Sequence, residues 1–209
     1  MRRSHVPETV QVHLASFQGF FLSLLGPQFL RLYYESIVDY IDAVGCVCVE
    51  DDRVVGFVCG TVSPSRFYSY LLRTRWLRFA LAALSAVFRQ PSIVPRLVRA
   101  WVYPSQASER EDSYSDDAPS GVPVSATLTS IGVDPSHQHR GVGSELVAAF
   151  LENMRVRGVT SVHLTTDQQD NEQVSAFYQR QGFRCLSTYT TPEGRVMNEF
   201  VVELDGAQR

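Results

Sequence analysis

Apolar and polar residues follow two different periods along this chain. Near the N-terminus the apolar residues recur every three or four positions, which predicts two helices. Pro7 suits the first helical turn. The first helix is predicted to present one face made of Val6, Val10, Leu14 and Phe17. The second is predicted to present a face made of Phe29, Tyr33, Ile37 and Ile41.

A period of two, typical of strands, follows these helices. Residues 46–50 and 54–62 flank a polar turn at 51–53 and predict an antiparallel hairpin. Residues 125–133 alternate small or polar with apolar residues, and residues 161–166 predict one more strand. A helix is predicted after Gly141, with apolar positions at Leu146, Val147, Phe150, Leu151 and Met154.

The segment 64–120 interrupts this pattern and reads as an insertion. Its first part predicts an amphipathic helix that ends at Pro91 and Pro95. The apolar side of this helix is predicted to hold Tyr70, Leu77, Leu81, Leu84 and Phe88, and the polar side Arg75, Arg78 and Arg89. Residues 96–102 predict another turn or two of helix, and residues 105–119 a polar loop.

The composition is that of a globular protein with one core. With 209 residues, 44% of them hydrophobic, the chain is expected to form a single domain over 1–209 with the insertion as an elaboration. No leader or membrane span is recognised, so a cytoplasmic protein is expected. Cysteines fall in predicted strands and lack a matching Cys/His pair at finger spacing, which favours structural thiols and no metal: Cys46, Cys48, Cys59 and Cys185.

Charge is segregated along the insertion. No acidic residue occurs from Arg53 to Ser108, whereas five follow within residues 109–117. Three interpretations stay open: a packing element with solvated arginines, a site for an anionic acceptor, or contact of residues 66–102 with an anionic membrane surface or partner protein. Nucleic-acid binding is not expected, because no RNA or DNA motif accompanies the arginines.

The segment Gln138-His139-Arg140-Gly141-Val142-Gly143-Ser144 lies between a predicted strand and a predicted helix. Glycines without side chains let backbone N–H groups approach a ligand, and the N-terminus of the following helix carries a partial positive charge. The context favours a cradle for a pyrophosphate. A tight connection without a ligand is the alternative.

A second motif follows the strand at 161–166. Tyr178 stands seven positions after Asn171, and Gly182-Phe183 completes the motif. Together the two motifs resemble the GNAT superfamily of acetyl-CoA-dependent N-acetyltransferases, whose acyl-CoA loop reads Gln/Arg-x-x-Gly-x-Gly/Ala. The resemblance is strong over about 125–204, weaker over 46–63 and absent between.

This resemblance implies an α/β (α+β) fold of the GNAT type, with a mixed, mostly antiparallel sheet flanked by helices and the helical insertion added. CoA would lie in a cleft where adjacent strands splay apart. GNAT proteins normally place a strand before the first helix, but only residues 1–4 precede it here. That strand is therefore expected to be short or missing.

The resemblance also implies roles for particular residues. The N–H of Val133 is the candidate that polarises the thioester carbonyl, and Tyr178 is the candidate general acid for the departing thiolate. Asn171 would bind the donor arm or cap the following helix. The residues expected to bind acetyl-CoA are Ile131, Gly132 and Val133 along the pantetheine arm, Gln138, His139, Arg140, Gly141, Val142, Gly143 and Ser144 around the pyrophosphate, and Asn171 and Tyr178.

The general base is not evident from the sequence. Many GNAT proteins place a glutamate eleven residues before the loop's first glutamine, where this chain has Thr127. The substitutes are His163, Glu199 or a chain of waters, and an acceptor amine of low pKa needs no strong base.

The expected function is acetyl transfer from acetyl-CoA to a primary amine. Gly26-Pro27-Gln28-Phe29-Leu30 looks like a branch of bacterial GNAT proteins associated with surface-polysaccharide pathways, which favours a small-molecule acceptor such as an amino sugar. The alternatives are acetylation of protein N-termini or lysines, and a non-catalytic acyl-CoA-binding module. The oligomeric state is left open, a homodimer included.

Overall fold

The computed structural model describes residues 1–89, 124–169, 171–191 and 194–204, without the side chains of Phe21 and residues 85–89. The helices are α1 (Val6–Ser16), α2 (Phe21–Leu24), α3 (Gly26–Asp39), α4 (Pro64–Thr74), α5 (Trp76–Arg89), α6 (Val142–Val156) and α7 (Glu172–Arg180). The strands are β1 (Ala43–Glu50), β2 (Arg53–Thr61), β3 (Ser125–Val133), β4 (Ser161–Asp167), β5 (Arg184–Thr190) and β6 (Val196–Glu203).

The six strands form one sheet in the order β1-β2-β3-β4-β6-β5. β3 and β4 are parallel, and every other neighbouring pair is antiparallel. Each face of the sheet has its own core. Phe150 and Met154 of α6 lie in the core of one face, and Tyr34 and Phe57 lie in the core of the other face, against α1 and α3. The mixed, mostly antiparallel sheet with helices on both faces confirms the expected fold.

The two N-terminal helices form largely as the periodicity predicts. Val6 and Val10 of α1 are buried, as are Tyr33 and Ile37 of α3. The prediction is wrong for Ile41, which is 80% exposed. α3 ends at Asp39 and the chain turns before β1, so the helical period does not reach this residue.

The edge of the sheet is β1, because no strand precedes α1 within residues 1–89. A short 3₁₀ helix, Arg3–His5, leads directly into α1. The Met1 amino group donates a hydrogen bond to the Gly45 carbonyl at 2.6 Å, so one residue touches the edge that a first strand would cover. The expectation that this strand is short or missing is confirmed.

All four cysteines are free and lie in strands, as predicted. Cys59 of β2 is fully buried, and burial raises the pKa of its thiol to about 12. Cys185 departs from the prediction of a buried hydrophobe. It is exposed because β5 is the other edge of the sheet.

The start of the insertion forms two helices, α4 and α5, rather than one, and they meet at Arg75. The interpretation with solvated arginines does not hold for Arg75. Its side chain is only 15% exposed, forms an ion pair with Asp39, and donates to the Ser36 hydroxyl at 3.3 Å. Asp39 also pairs with Arg3 at 2.7 Å, and these pairs hold the pKa of the Asp39 carboxyl below its ordinary value despite its desolvation.

Helix α5 turns its predicted apolar side toward solvent. Leu77, Leu81 and Leu84 are 55%, 59% and 51% exposed. The contact with α3 is made instead by Phe79, whose ring centroid lies 4.9 Å from that of Phe29. The side chains of Phe88 and Arg89, the helical turns at 96–102 and the polar loop at 105–119 lie outside the described residues, and the single domain stays a prediction.

Among the described residues, no helix is both long and apolar enough to cross a membrane.

Candidate functional site

The parallel strands β3 and β4 pair over a short stretch only. Ser125 to Thr127 pair with Ser161 to His163, whereas β3 continues to Val133 and β4 to Asp167. The strands therefore separate beyond the pair Thr127 and His163 and leave an opening between them, which we call the cleft. The pair Thr127 and His163 lies at its narrow end, which we call the apex. The resemblance places CoA in such a cleft.

The glycine loop stands at the wide end of the cleft, where β3 ends. Gly141 has a φ of +89°, a left-handed conformation suited to glycine, and precedes the first residue of α6. A Cβ at this position would meet no atom within 4 Å. Since the first amides of a helix have no partner within it, this open space adjoins N–H groups and the positive end of the helix dipole.

The last residues of β3 direct alternate backbone groups into the cleft. The Asp134 N–H donates to the Val55 carbonyl of β2 at 2.8 Å. Because successive residues of a strand point their N–H and C=O groups to opposite sides, those of Val133 and Ile131 point away from β2. Both residues therefore direct backbone groups into the cleft.

Gly132 does not have this orientation. Its backbone groups face β2, where it pairs with Phe57. A Cβ on Gly132 would lie 2.8 Å from the Phe57 ring and 3.1 Å from that of Phe17. The glycine therefore makes room for two aromatic rings, a role that the sequence did not indicate.

Two side chains already hold the carbonyl of Val133. Ser16 Oγ donates to it at 2.9 Å, and Gln138 Nε2 donates at 3.2 Å. Gln138 thus ties the loop back to β3, while His139 and Arg140 are exposed beside it. Sequence reasoning missed Ser16, because its contact joins residues 117 positions apart and leaves no local signal.

The second half of the loop packs against α7. A Cβ on Gly143 would lie 3.4 Å from the Phe177 ring, and Ser144 Oγ accepts a hydrogen bond from Gln181 Nε2 at 3.0 Å. The small residue and the hydroxyl let α6 and α7 approach each other. They therefore help to fix Tyr178, which α7 carries.

Tyr178 is 5% exposed and lies in the core on the α6 face of the sheet. Its ring centroid is 5.6 Å from that of Phe183 and 6.0 Å from that of Phe200. Phe200 pairs with Leu164, the residue after His163. Burial raises the pKa of the Tyr178 phenol to about 12, so the hydroxyl stays protonated near neutral pH.

Asn171 stands at the N-terminus of α7, but its side chain makes no capping hydrogen bond there. Its Nδ2 instead donates to the Asp167 carbonyl at 2.8 Å, which joins α7 to the end of β4. The Asp167 carboxylate pairs with Arg195 at 3.0 and 2.5 Å. These three residues, with Phe20 and Gln169, line an open cavity of about 400 Å³.

The residues named as substitute bases lie on the other face of the sheet from Tyr178. His163 and Glu199 are neighbours there, with His163 Nδ1 3.5 Å from Glu199 Oε1. The hydroxyl of Ser187, which belongs to neither sequence motif, donates to Glu199 Oε2 at 2.8 Å. Thr127 adjoins them through its register with His163.

Residues 114–183 match the model of a family described as the acetyltransferase (GNAT) family. This range includes the glycine loop and Tyr178. No curated protein sequence gives a significant match.

The fold is similar to several solved structures. One is described as an acetyltransferase of the GNAT family from Desulfovibrio desulfuricans, with 15% identity, a TM-score of 0.58, and coverage of 96% of this chain and 92% of that one. Another is the ribosomal-protein-S18-alanine N-acetyltransferase from Escherichia coli, with 13% identity, a TM-score of 0.56, and coverage of 100% and 95%. A third is an aminoglycoside 6′-N-acetyltransferase complexed with coenzyme A, with 11% identity, a TM-score of 0.52, and coverage of 94% and 88%. At these identities the likeness shows the fold.

Proposed function

We propose that this chain, whose residues 114–183 match the GNAT acetyltransferase family model, transfers an acetyl group from acetyl-CoA to a primary amine of a small molecule such as an amino sugar. One observation carries the proposal: the glycine loop opens at the wide end of the cleft and packs against α7, the helix that carries the buried, protonated Tyr178. The loop suits the pyrophosphate of the donor, and Tyr178 suits its sulfur.

The donor would enter with its pyrophosphate at the open space above Gly141. Its extended arm would then pair with the Val133 N–H and the outward backbone groups of Ile131, in the manner of an added strand. This direction leads from the wide end of the cleft toward the apex. The thioester would therefore arrive near Tyr178, whose phenol protonates the thiolate as the C–S bond breaks.

A small acceptor is supported by two features. Residues 26–30 resemble a branch associated with surface polysaccharides, and one similar structure is an aminoglycoside N-acetyltransferase. The cavity of about 400 Å³ at Asn171 and Asp167 also has the size of a small-molecule site. The fold is equally similar to a protein N-acetyltransferase, so the acceptor class is decided by experiment.

The deciding experiment is a thiol-release assay with acetyl-CoA and panels of amino sugars, polyamines, amino acids and peptides. Turnover with amino sugars or other small amines supports the proposal. Turnover with peptides alone would identify a protein acetyltransferase. Tight binding of acetyl-CoA without release in any panel would identify a non-catalytic binding module.

Arg140→Glu is expected to weaken CoA binding by ~10-fold or more, because an exposed cation beside the cradle becomes an anion facing the pyrophosphate. Calorimetric titration with CoA measures this effect. The matched control is Arg155→Glu, which makes the same charge change at the exposed last turn of α6, the helix that follows the loop. Equal affinities for the two variants would remove the pyrophosphate from the glycine loop.

For the insertion we propose contact with an anionic membrane surface through the exposed side of α5. The three leucines lie on one side of the helix, Trp76 is 59% exposed nearby, and the exposed Arg78 flanks them. An apolar stripe bordered by arginine and tryptophan, with no acidic residue in α4 or α5, suits anionic lipid better than neutral lipid.

The variant with Leu77, Leu81 and Leu84 all changed to Ser is expected to lose sedimentation with phosphatidylglycerol vesicles. A matched control changes three exposed apolar residues elsewhere to Ser: Ile41, Val156 and Leu186. A wild-type chain that ignores these vesicles would refute the contact. A wild-type dimer that only the leucine variant dissociates would assign the stripe to a second copy of the chain.

A further inference from the structure

We propose that His163 is the general base of the acetyl transfer and that Glu199 positions it. His163 would take the role of the glutamate that many GNAT proteins have where this chain has Thr127. This inference rests on the proposed function and concerns the same cleft. Its basis is the pairing of strands, which sequence spacing did not reveal.

The register brings His163 beside the position of the missing glutamate. Thr127 and His163 are direct partners in the parallel pair of β3 and β4, so their side chains project from the same face of the sheet. They form the last pair before the strands part. A base at residue 163 is therefore one strand spacing from a base at residue 127, on the same side of the apex.

Glu199 reaches the same point from β6. It pairs with Thr165, two residues beyond His163, so it also projects from that face. Its Oε1 lies 3.5 Å from His163 Nδ1, while its Oε2 accepts a hydrogen bond from Ser187 Oγ at 2.8 Å. The serine holds the carboxylate, and the carboxylate faces Nδ1 of the ring, which favours the tautomer with the proton on Nδ1 and Nε2 as acceptor. Nε2 lies 3.5 Å from the Ser161 hydroxyl.

His163 is also within reach of an acceptor. Its side chain is 15% exposed, compared with the deep burial of Tyr178 on the opposite face. An amine that approaches from the His163 face meets the carbonyl carbon with the base on its own side. The acid stands on the other side, next to the leaving sulfur.

In this arrangement the attacking amine loses one proton and the leaving thiolate gains one. Nε2 of His163 takes one proton from the attacking amine as the new C–N bond forms, and the Glu199 carboxylate stabilises the imidazolium. The C–S bond then breaks with its electron pair on sulfur, and Tyr178 donates the proton that makes the thiol. The imidazolium and the tyrosinate return to their starting states by exchange with water.

The test compares His163→Gln and Glu199→Gln with Glu203→Gln, an exposed carboxylate on the same strand as Glu199. His163→Gln is expected to lower kcat/KM by ~10²-fold or more at pH 7 for an amine of high pKa, with a smaller loss for an amine of low pKa. Glu199→Gln is expected to lower kcat with little change in KM, because it leaves the ring in place without the carboxylate that orients it. Glu203→Gln is expected to change neither.

Unchanged CoA affinity in calorimetry identifies variants that remain folded, and added imidazole is expected to restore part of the activity of His163→Gly. A folded His163→Gln chain with wild-type kcat/KM would overturn His163 as the base, and a folded Glu199→Gln chain with wild-type kcat would overturn the role of Glu199. A wild-type chain that releases no CoA with any amine would overturn the proposed acetyl transfer instead.

Discussion

Tyr178→Phe is expected to lower kcat by ~10²- to 10⁴-fold, the usual range for loss of a general acid. The change removes one hydroxyl from a ring that is 5% exposed and packed against Phe183 and Phe200, so the fold should survive. Because the acid acts on the departing sulfur in the transition state, KM should change far less than kcat. Steady-state rates under conditions where chemistry limits turnover measure the effect.

Tyr33→Phe is the matched control for this variant. Tyr33 is also buried, and its hydroxyl donates to Thr129 at 3.4 Å, away from the proposed acid. Its loss should leave kcat near that of the wild type. If Tyr178→Phe also retains the wild-type kcat, the thiolate is protonated by water or another donor.

The free energy of unfolding is expected to fall by about 2.5 kcal/mol between pH 7.5 and pH 4.5 through His13 alone. His13 is 3% exposed, and burial lowers its pKa to about 4. Its Nδ1 lies 2.7 Å from the Tyr34 hydroxyl, and its Nε2 has no hydrogen-bond partner within the described part of the chain. A charge on this ring would therefore be buried without compensation.

The direction follows from proton binding. An unfolded histidine takes up a proton near pH 6.5, whereas the folded one resists until about pH 4, so the unfolded state binds more protons in between. Stability is full above pH 6.5 and is lost as the pH falls toward 4. Urea unfolding at several pH values measures the loss.

His13→Gln is expected to remove this component of the pH dependence. His139→Gln, which changes an exposed histidine of the glycine loop, should retain it. The same pH dependence in wild type and His13→Gln would show that other groups account for the acid sensitivity.

Local patterns predicted the elements that fold by local rules. The positive φ and open surroundings of Gly141 follow from a glycine before a helix, and Tyr178 lies in the helix expected after Asn171. The helical period placed Val6 and Val10 inward because a helix repeats wherever it forms.

Local patterns failed where a distant partner decides the direction of a side chain. The helical periodicity of the insertion placed Arg75 on the polar side of its helix. Arg75 instead forms an ion pair with Asp39 of α3, which lies 36 positions away in the chain. The same periodicity could not show that Phe79 packs against Phe29 of α3, while the three leucines of α5 are exposed to solvent. Amphipathicity gives two sides and does not say which one is buried.

The sequence by itself determined the glycine loop that resembles the GNAT acyl-CoA loop, the candidate general acid Tyr178 and the alternation of strands and helices. Each of these depends on residues close together in the chain. Only the tertiary structure decided which side chains lie beside Thr127. The residue lacks a carboxylate, and its partner His163 is 36 positions further along, brought there by the parallel register of β3 and β4. Glu199 comes from a third strand, and strand order is fixed by the packing of the whole sheet, which no local spacing encodes.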